Sequence, residues 1–494
     1  LYLGQRYNES LFTQYNTINE RLLEVALEEP KNTILLSKIL NTIENNGSKL
    51  TWSKFVFNNQ RQQLNIPDHF IIHEESIKTQ LNFYQEALMN SAPNTEEKLL
   101  LWKDKIYELK NNLSKIQDSI KEQNQTYYKL NVQNFEINKL QEFLEEDEVI
   151  FKYIITHKYL YSFFISRERI EILPRTDKIL VLNNLKTSLN ALKQRTPNYR
   201  DSFRDLSKLL FQQLDYKDYK KLTIIPDGAL NYFPFEALVL EPKMPRISYG
   251  SSMLLYQEQK TILSPSEDLR IGAFSASNTN LKLPKVSDEL RAILNIFNGK
   301  SFLNASKTDF LEQANAFNVL HLAMHSNIND LQPEFSSLNF YGEKDNELFI
   351  SELYNETLNA NMVVLSACDT GNGFYENGEG VISLSRAFNY AGIPSTVMSL
   401  WKVDDEATSK IMALFYKHLK KGETKDEALK NAKLDYLKNT KDELLKHPYY
   451  WSGFVITGNT DALVQTPNYW IYLSIFPLIV ILFFRKKLFL FFKK

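Results

Sequence analysis

NMVVLSACDTGNG, residues 361–373, decides how the rest of the chain is read. Its apolar residues run together without polar alternation and then stop at Ser366, Ala367 and Cys368 before a glycine-bearing loop, as in a strand buried on both faces. Four other runs follow the same plan: LTIIPDG at 222–228, LRIGAFSA at 269–276, FNVLHLAMHS at 317–326 and STVMSLWKV at 395–403. Helical patterns flank or separate them at Lys178–Gln213, Ser287–Phe297, Val381–Ala391, Glu406–Lys420 and Lys425–Lys438. Wholly apolar strands alternating with helices predict an α/β fold, a mainly parallel sheet flanked by helices with sites at the carboxyl ends of its strands. The β-branched and aromatic stretch 148–173 opens this unit, so the domain is placed at 144–460.

Upstream, residues 1–143 read as an all-helical region of degenerate repeats and a helical hairpin. The segment is rich in Asn, Gln, Glu and Lys, with Gly4 and Gly47 its only glycines. Leu99, Trp102, Ile106, Leu109, Leu113, Ile116 and Ile120 recur at three- and four-residue steps, the seam of two packed helices. Downstream, 461–468 reads as a linker. Tyr469–Phe484 is an uncharged run between Trp470 and the basic triplet Arg485–Lys487, predicting a transmembrane helix with 485–494 as a basic tail. The basic tail predicts a single-pass membrane protein with a cytoplasmic tail and an extracytoplasmic catalytic domain, which requires an export signal upstream of Leu1.

The 58 Lys and Arg balance 59 Asp and Glu, which excludes a uniformly basic nucleic-acid binder. A single cysteine excludes an internal disulfide and any Cys-rich metal site. Neither a metal nor an organic cofactor is expected. That thiol, Cys368, falls at one strand end and His325 at another, and a thiol with an imidazole on two strands of one parallel sheet is a minimal nucleophile and base. The glycines of 371–380 fit neither phosphate-loop spacing, and Asp369, Glu376 and Glu379 would repel phosphate. Asp404 and Asp405, ending the 395–403 strand, read either as helix caps or as the acidic lining of a pocket for a basic residue. In the second reading Asp404 is the contact and Asp405 the cap.

Residues 363–408 resemble the CHAT-domain family of the caspase-like clan of cysteine peptidases, related to separase, gingipain and caspases. LTIIPDGALNYFPFEAL, HLAMHS and HPYYWSGFVITG are similar to that family in the same order. The resemblance implies a caspase-like fold, His325 and Cys368 as catalytic dyad, and helical repeats before the domain. Family members usually carry Gly where this chain has Ser326, whose backbone N–H with that of Cys368 would form the oxyanion hole. Asp369 replaces a more usual Glu.

The reading is therefore a membrane-anchored caspase-like cysteine endopeptidase that cleaves a protein or peptide after a basic residue, with a regulatory protein bound by the helical region. Its alternatives are a catalytically silent CHAT scaffold displaying helices for protein–protein interaction and a thiol hydrolase acting on a non-peptide ester.

Overall fold

The computed structural model describes residues 17–464 apart from 47–48, 61–65, 91–95, 124–133, 213–217, 239–244, 263–267, 277–285, 330–332, 367–373 and 377–379. A twelve-stranded sheet organises them. β1 (Glu148–Ile155) and β2 (Tyr159–Ser166) form an antiparallel hairpin, extended by β3 (Ile170–Ile172) and β4 (Thr176–Asp177). β5 (Lys221–Ile225) lies parallel to β1, and β6 (Arg246–Tyr249) parallel to β5. The remaining parallel block comprises β7 (Ile271–Ser275), β8 (Gly299–Leu303) and β9 (Val319–Ala323), with two later strands.

Beyond β9 the chain leaves the large sheet. β10 (His325–Asn327), β11 (Ser337–Asn339) and β12 (Glu347–Phe349) form a small antiparallel sheet. The chain then returns as β13 (Met362–Leu365), parallel to β9. A ribbon of β14 (Phe374–Glu376) and β15 (Gly380–Ile382) precedes β16 (Ser395–Ser399), which is parallel to β13. β17 (Phe454–Gly458) runs antiparallel to β16, with Gly458 opposite Ser395, and pairs with β6 in the parallel sense at Thr457 and Tyr249. Lys221 Nζ, at the start of β5, donates to Thr460 just past the end of β17. The starts of β5 and β16 thus share one edge. Strands buried on both faces explain the unbroken apolar runs, since β5, β7, β9 and β13 have no exposed residue.

Helices cover both faces. Residues 17–28 form α1, followed by α2 (Thr33–Asn46), α3 (Lys49–Gln60), α4 (Asp68–Asn90), α5 (Glu96–Gln123) and α6 (Ile137–Phe143). Leu23, Leu36, Leu40, Trp52 and Phe55 share one core with Ile150, Tyr161, Phe163 and Tyr256, so α1–α3 are built onto the sheet rather than strung before it. α4 and α5 instead close a separate core of Ile66, Ile77, Leu81, Leu109, Ile116 and Ile120. Further along lie α7 (Lys178–Lys193), α8 (Tyr199–Phe211), α9 (Met253–Lys260), α10 (Val286–Leu294), α11 (Leu384–Tyr390), α12 (Asp405–Lys420) and α13 (Lys425–Asn439). The helical stretch expected over 178–213 is two helices, because Pro197 interrupts it and Arg195 adopts a positive φ of 55°.

The expected transmembrane helix is corrected. Tyr469–Phe484 and the tail 485–494 lie outside the described residues, as does the linker beyond 464. Among the described residues no helix is long and apolar enough to cross a membrane. The two longest, α4 and α5, carry Glu74, Lys78, Lys103 and Asp104, charges that a bilayer would bury at high cost. The membrane as a partner, the single-pass topology and the extracytoplasmic placement all rested on that helix and fall with it.

Candidate functional site

β9 holds His321 in the fully buried interior, and a turn at buried Met324 then carries the chain out to His325 at the start of β10. His325 is half-buried opposite Asn339, and Ser326 faces Leu338. β13 runs beside β9 with Leu365 level with Leu322, and Ser366 N donates to Leu322 O at 2.9 Å. The described residues thus bring two strand ends side by side, one leading to His325 and the other to Cys368. Cys368 itself lies outside the described residues, as do Asp369 and the glycines from 371 to 378.

Beneath that edge sits a polar group that sequence reading passed over. Glu289 of α10, almost wholly buried, accepts from Ser366 Oγ at 2.8 Å on Oε1, and the same oxygen is 3.0 Å from His321 Nε2. His321 Nδ1 is 3.2 Å from the Tyr416 hydroxyl on α12. Burial, with the Glu289 carboxylate beside it, pushes the Tyr416 phenol well above its ordinary value, so it keeps its proton. His321 Nε2, although close to Glu289, makes no aligned hydrogen bond there. No spacing in sequence could reveal this set, since its members lie on α10, β9, the end of β13 and α12.

Asp404 is the N-cap of α12, accepting from Glu406 N at 3.1 Å and Ala407 N at 3.0 Å, while Asp405 is the first helical residue. The capping role expected of Asp405 therefore belongs to Asp404. Both are exposed. Trp401 is buried, donating from Nε1 to Tyr449 O at 3.2 Å and stacking on the Tyr449 ring. His418 bridges Glu423 and Asp435, and His447 caps the short turn that starts at Pro448.

The opposite, amino edge carries a buried ionic cluster. Burial works to raise the Glu148 carboxyl, but Lys221 and Lys260 outweigh it and hold the group at about 2. Lys425, fully buried, is drawn down to about 7 by burial, against the pull of Asp461 and Asp426. Its Nζ donates to Asn459 O at 3.2 Å and Asn459 Oδ1 at 3.1 Å. Among the described residues no group of His, Cys, Asp and Glu is arranged to hold a metal ion.

The family model of the CHAT domain matches residues 200–459, more than half of the 494 residues. The chain belongs to the CHAT domain family. Two similar curated proteins are both named Tetratricopeptide repeat protein 28. The chain is 29% identical to the Mus musculus protein over 121 residues, which are 24% of this chain and 5% of that one. It is 32% identical to the Homo sapiens protein over 107 residues, 22% of this chain and 4% of that one. The chain thus matches only a small fraction of these relatives' length. Among solved structures, the Saccharomyces cerevisiae separase–securin complex gives a TM-score of 0.47 at 11% identity, covering 68% of this chain and 32% of that one. The Arg-specific cysteine proteinase gingipain R gives 0.38 at 10%, covering 54% and 68%. Both scores lie below 0.5, and the family assignment rests on residues 200–459.

Ser326, where CHAT domains usually have Gly, lies in strand β10. Among the described residues positive φ outside glycine is confined to Arg195, Gln212, Asn304 and Asp345, so a serine fits there without left-handed strain. The reading as a membrane-anchored peptidase acting through a Cys-His dyad is corrected here. Its anchor has no spanning helix among the described residues, its thiol lies outside them, and the family match names a domain rather than an activity.

Proposed function

We propose that this CHAT protein is a protein-binding scaffold, in which the sheet domain displays a helical surface to a protein partner. One observation carries the reading: the α4–α5 hairpin closes its own core yet leaves Ile72, Phe83, Leu100, Leu101 and Tyr107 exposed. Ile72 and Phe83 are eleven residues apart and Leu100 and Tyr107 seven, spacings that return to the same side of a helix. Large apolar side chains held in water suit a partner's apolar face. The names of the curated relatives, tetratricopeptide repeat proteins, agree with a helical binding role. The experiment is site-specific photo-crosslinking in cells from positions 83 and 100 of the full chain. The scaffold reading expects the same protein captured from both positions, lost when Ile72 and Leu101 become Glu and retained in Cys368→Ala. Capture that depends on Cys368 and ignores the hairpin changes would reject it.

A second reading is favoured by the adjacent, parallel ends of β9 and β13. In it the CHAT domain is a thiol hydrolase performing acyl transfer on a non-peptide ester. Cys368 is the nucleophile, His325 the base and then the acid, and the backbone N–H groups of Ser326 and Cys368 receive the oxyanion. Asp404 and Asp405 lie beyond the end of β16, the next strand of the sheet, where an exposed acidic pair would meet a basic substrate group. Labelling by a thiol-directed acyl electrophile that vanishes in His325→Ala supports this reading, and labelling unchanged by His325→Ala removes it.

A further inference from the structure

We propose that Glu289 is a positioning residue for the carboxyl edge of the sheet, holding the exit of β13 against β9 through Ser366 and His321. The inference deepens the second reading above, because the chain leaving Ser366 is the one that reaches Cys368 two residues later. Two strand segments meet on the carboxylate, and a helix backs one of them. Ser366 donates from Oγ at 2.8 Å, the His321 ring approaches at 3.0 Å, and Tyr416 fixes the far side of that ring at 3.2 Å. His321 is fully buried and Glu289 nearly so, which removes competing water and makes each missing partner costly.

The charge and direction of the donors give the device its logic. A carboxylate has only acceptors and the serine hydroxyl donates to it, while the imidazole lies between the same oxygen and the Tyr416 hydroxyl. Ser366 meets Glu289 in one arrangement only, since a one-residue slip of β13 past β9 would turn Ser366 to the other face of the sheet. The backbone bond from Ser366 N to Leu322 O fixes the same register from the main chain. Other ionisable groups of α10, Asp288 and Arg291, are exposed and paired at 3.8 Å, so Glu289 is the helix's inward-facing charge among those described. A purely structural polar cluster would serve stability alone. A cluster whose serine lies two residues before Cys368 also sets where the chain toward that thiol leaves the sheet.

The single cysteine makes the test direct, since every thiol alkylation on the full chain, read as the carbamidomethylated Cys368 peptide, reports that residue. The rate of reaction with iodoacetamide is followed from pH 5 to pH 10 for the wild type, Ser366→Ala, Glu289→Leu and His325→Ala, each checked for folding by its melting transition and each repeated in urea. Ser366→Ala and Glu289→Leu should change the rate at neutral pH by roughly threefold or more and displace the midpoint of the profile, with all proteins alike in urea. Folded Ser366→Ala with a wild-type profile overturns the proposal, and it decides the matter if Glu289→Leu fails to fold. His325→Ala reads the dyad separately: if it leaves the profile unmoved, the hydrolase reading fails, while Ser366→Ala still decides the role of Glu289.

Discussion

Lys425 shows how far a single residue is held from its solution behaviour. Folding buries its ammonium completely, and the neighbouring carboxylates do not restore the ordinary value. Between about pH 7 and pH 10 the unfolded chain keeps this proton and the folded chain releases it, so this residue makes stability rise with pH through that window, by at most roughly 1.4 kcal/mol per unit. Lys425→Met should remove that component. Urea midpoints of the two proteins at pH 7, 8 and 9 check it: the wild type should gain relative to the variant at each step, and a constant difference would contradict the assignment. Directly before Asn459, Gly458 has φ +82°, and a Cβ there would lie 2.1 Å from Pro394 O. Gly458→Ala should therefore cost about 1–3 kcal/mol or more in the same denaturation experiment. Neither property was legible in sequence. Lys425 sits in an ordinary amphipathic helix pattern, and its burial comes from Asn459 and Thr460, more than thirty residues downstream.

At the scale of elements, the seam between the N-terminal helices and the sheet domain is polar as well as apolar. Asn58 of α3 donates to Tyr390 O at 2.6 Å and Asn59 to Gly392 O at 2.8 Å, while Thr51 accepts from Arg386 Nε at 3.1 Å. α3 thereby closes the carboxyl end of α11, the helix that follows the 367–382 stretch. Asn58→Ala should destabilise the protein by about 1–3 kcal/mol, because it strands a buried carbonyl. The α4–α5 hairpin has its own core, so Ile116→Ala should accelerate hydrogen exchange in α4 and α5 and leave β9 and β13 protected; faster exchange throughout would show one cooperative unit instead. The strands over 222–225, 319–323 and 362–365 were readable because burial on both faces leaves an unbroken apolar run. The helix expected from Val381 begins at Leu384 instead, since Val381 and Ile382 pair in β15 and Ser383 caps the helix by accepting from Arg386 N. Pairing across a ribbon is a tertiary choice, and local periodicity does not carry it.

Over the whole molecule, residues distant in sequence build what the sequence could not announce: β17 between β6 and β16, and a core shared by α1–α3 and the β1–β2 hairpin. The motifs at 317–326 and 361–373 were legible as strand ends and as a family likeness, whereas Glu289 and Tyr416 carry no local mark. The same architecture argues for a display role, because α4 and α5 close a core of their own and leave apolar side chains exposed, while the strand ends of β9 and β13 stay on the sheet's carboxyl edge. The most direct measurement is hydrogen–deuterium exchange of the full chain, alone and with the protein captured by the crosslinks. The scaffold account predicts protection gained on α4 and α5, equal in wild type and Cys368→Ala. Protection gained instead at 325–327 and 362–366, and lost in Cys368→Ala, would contradict it.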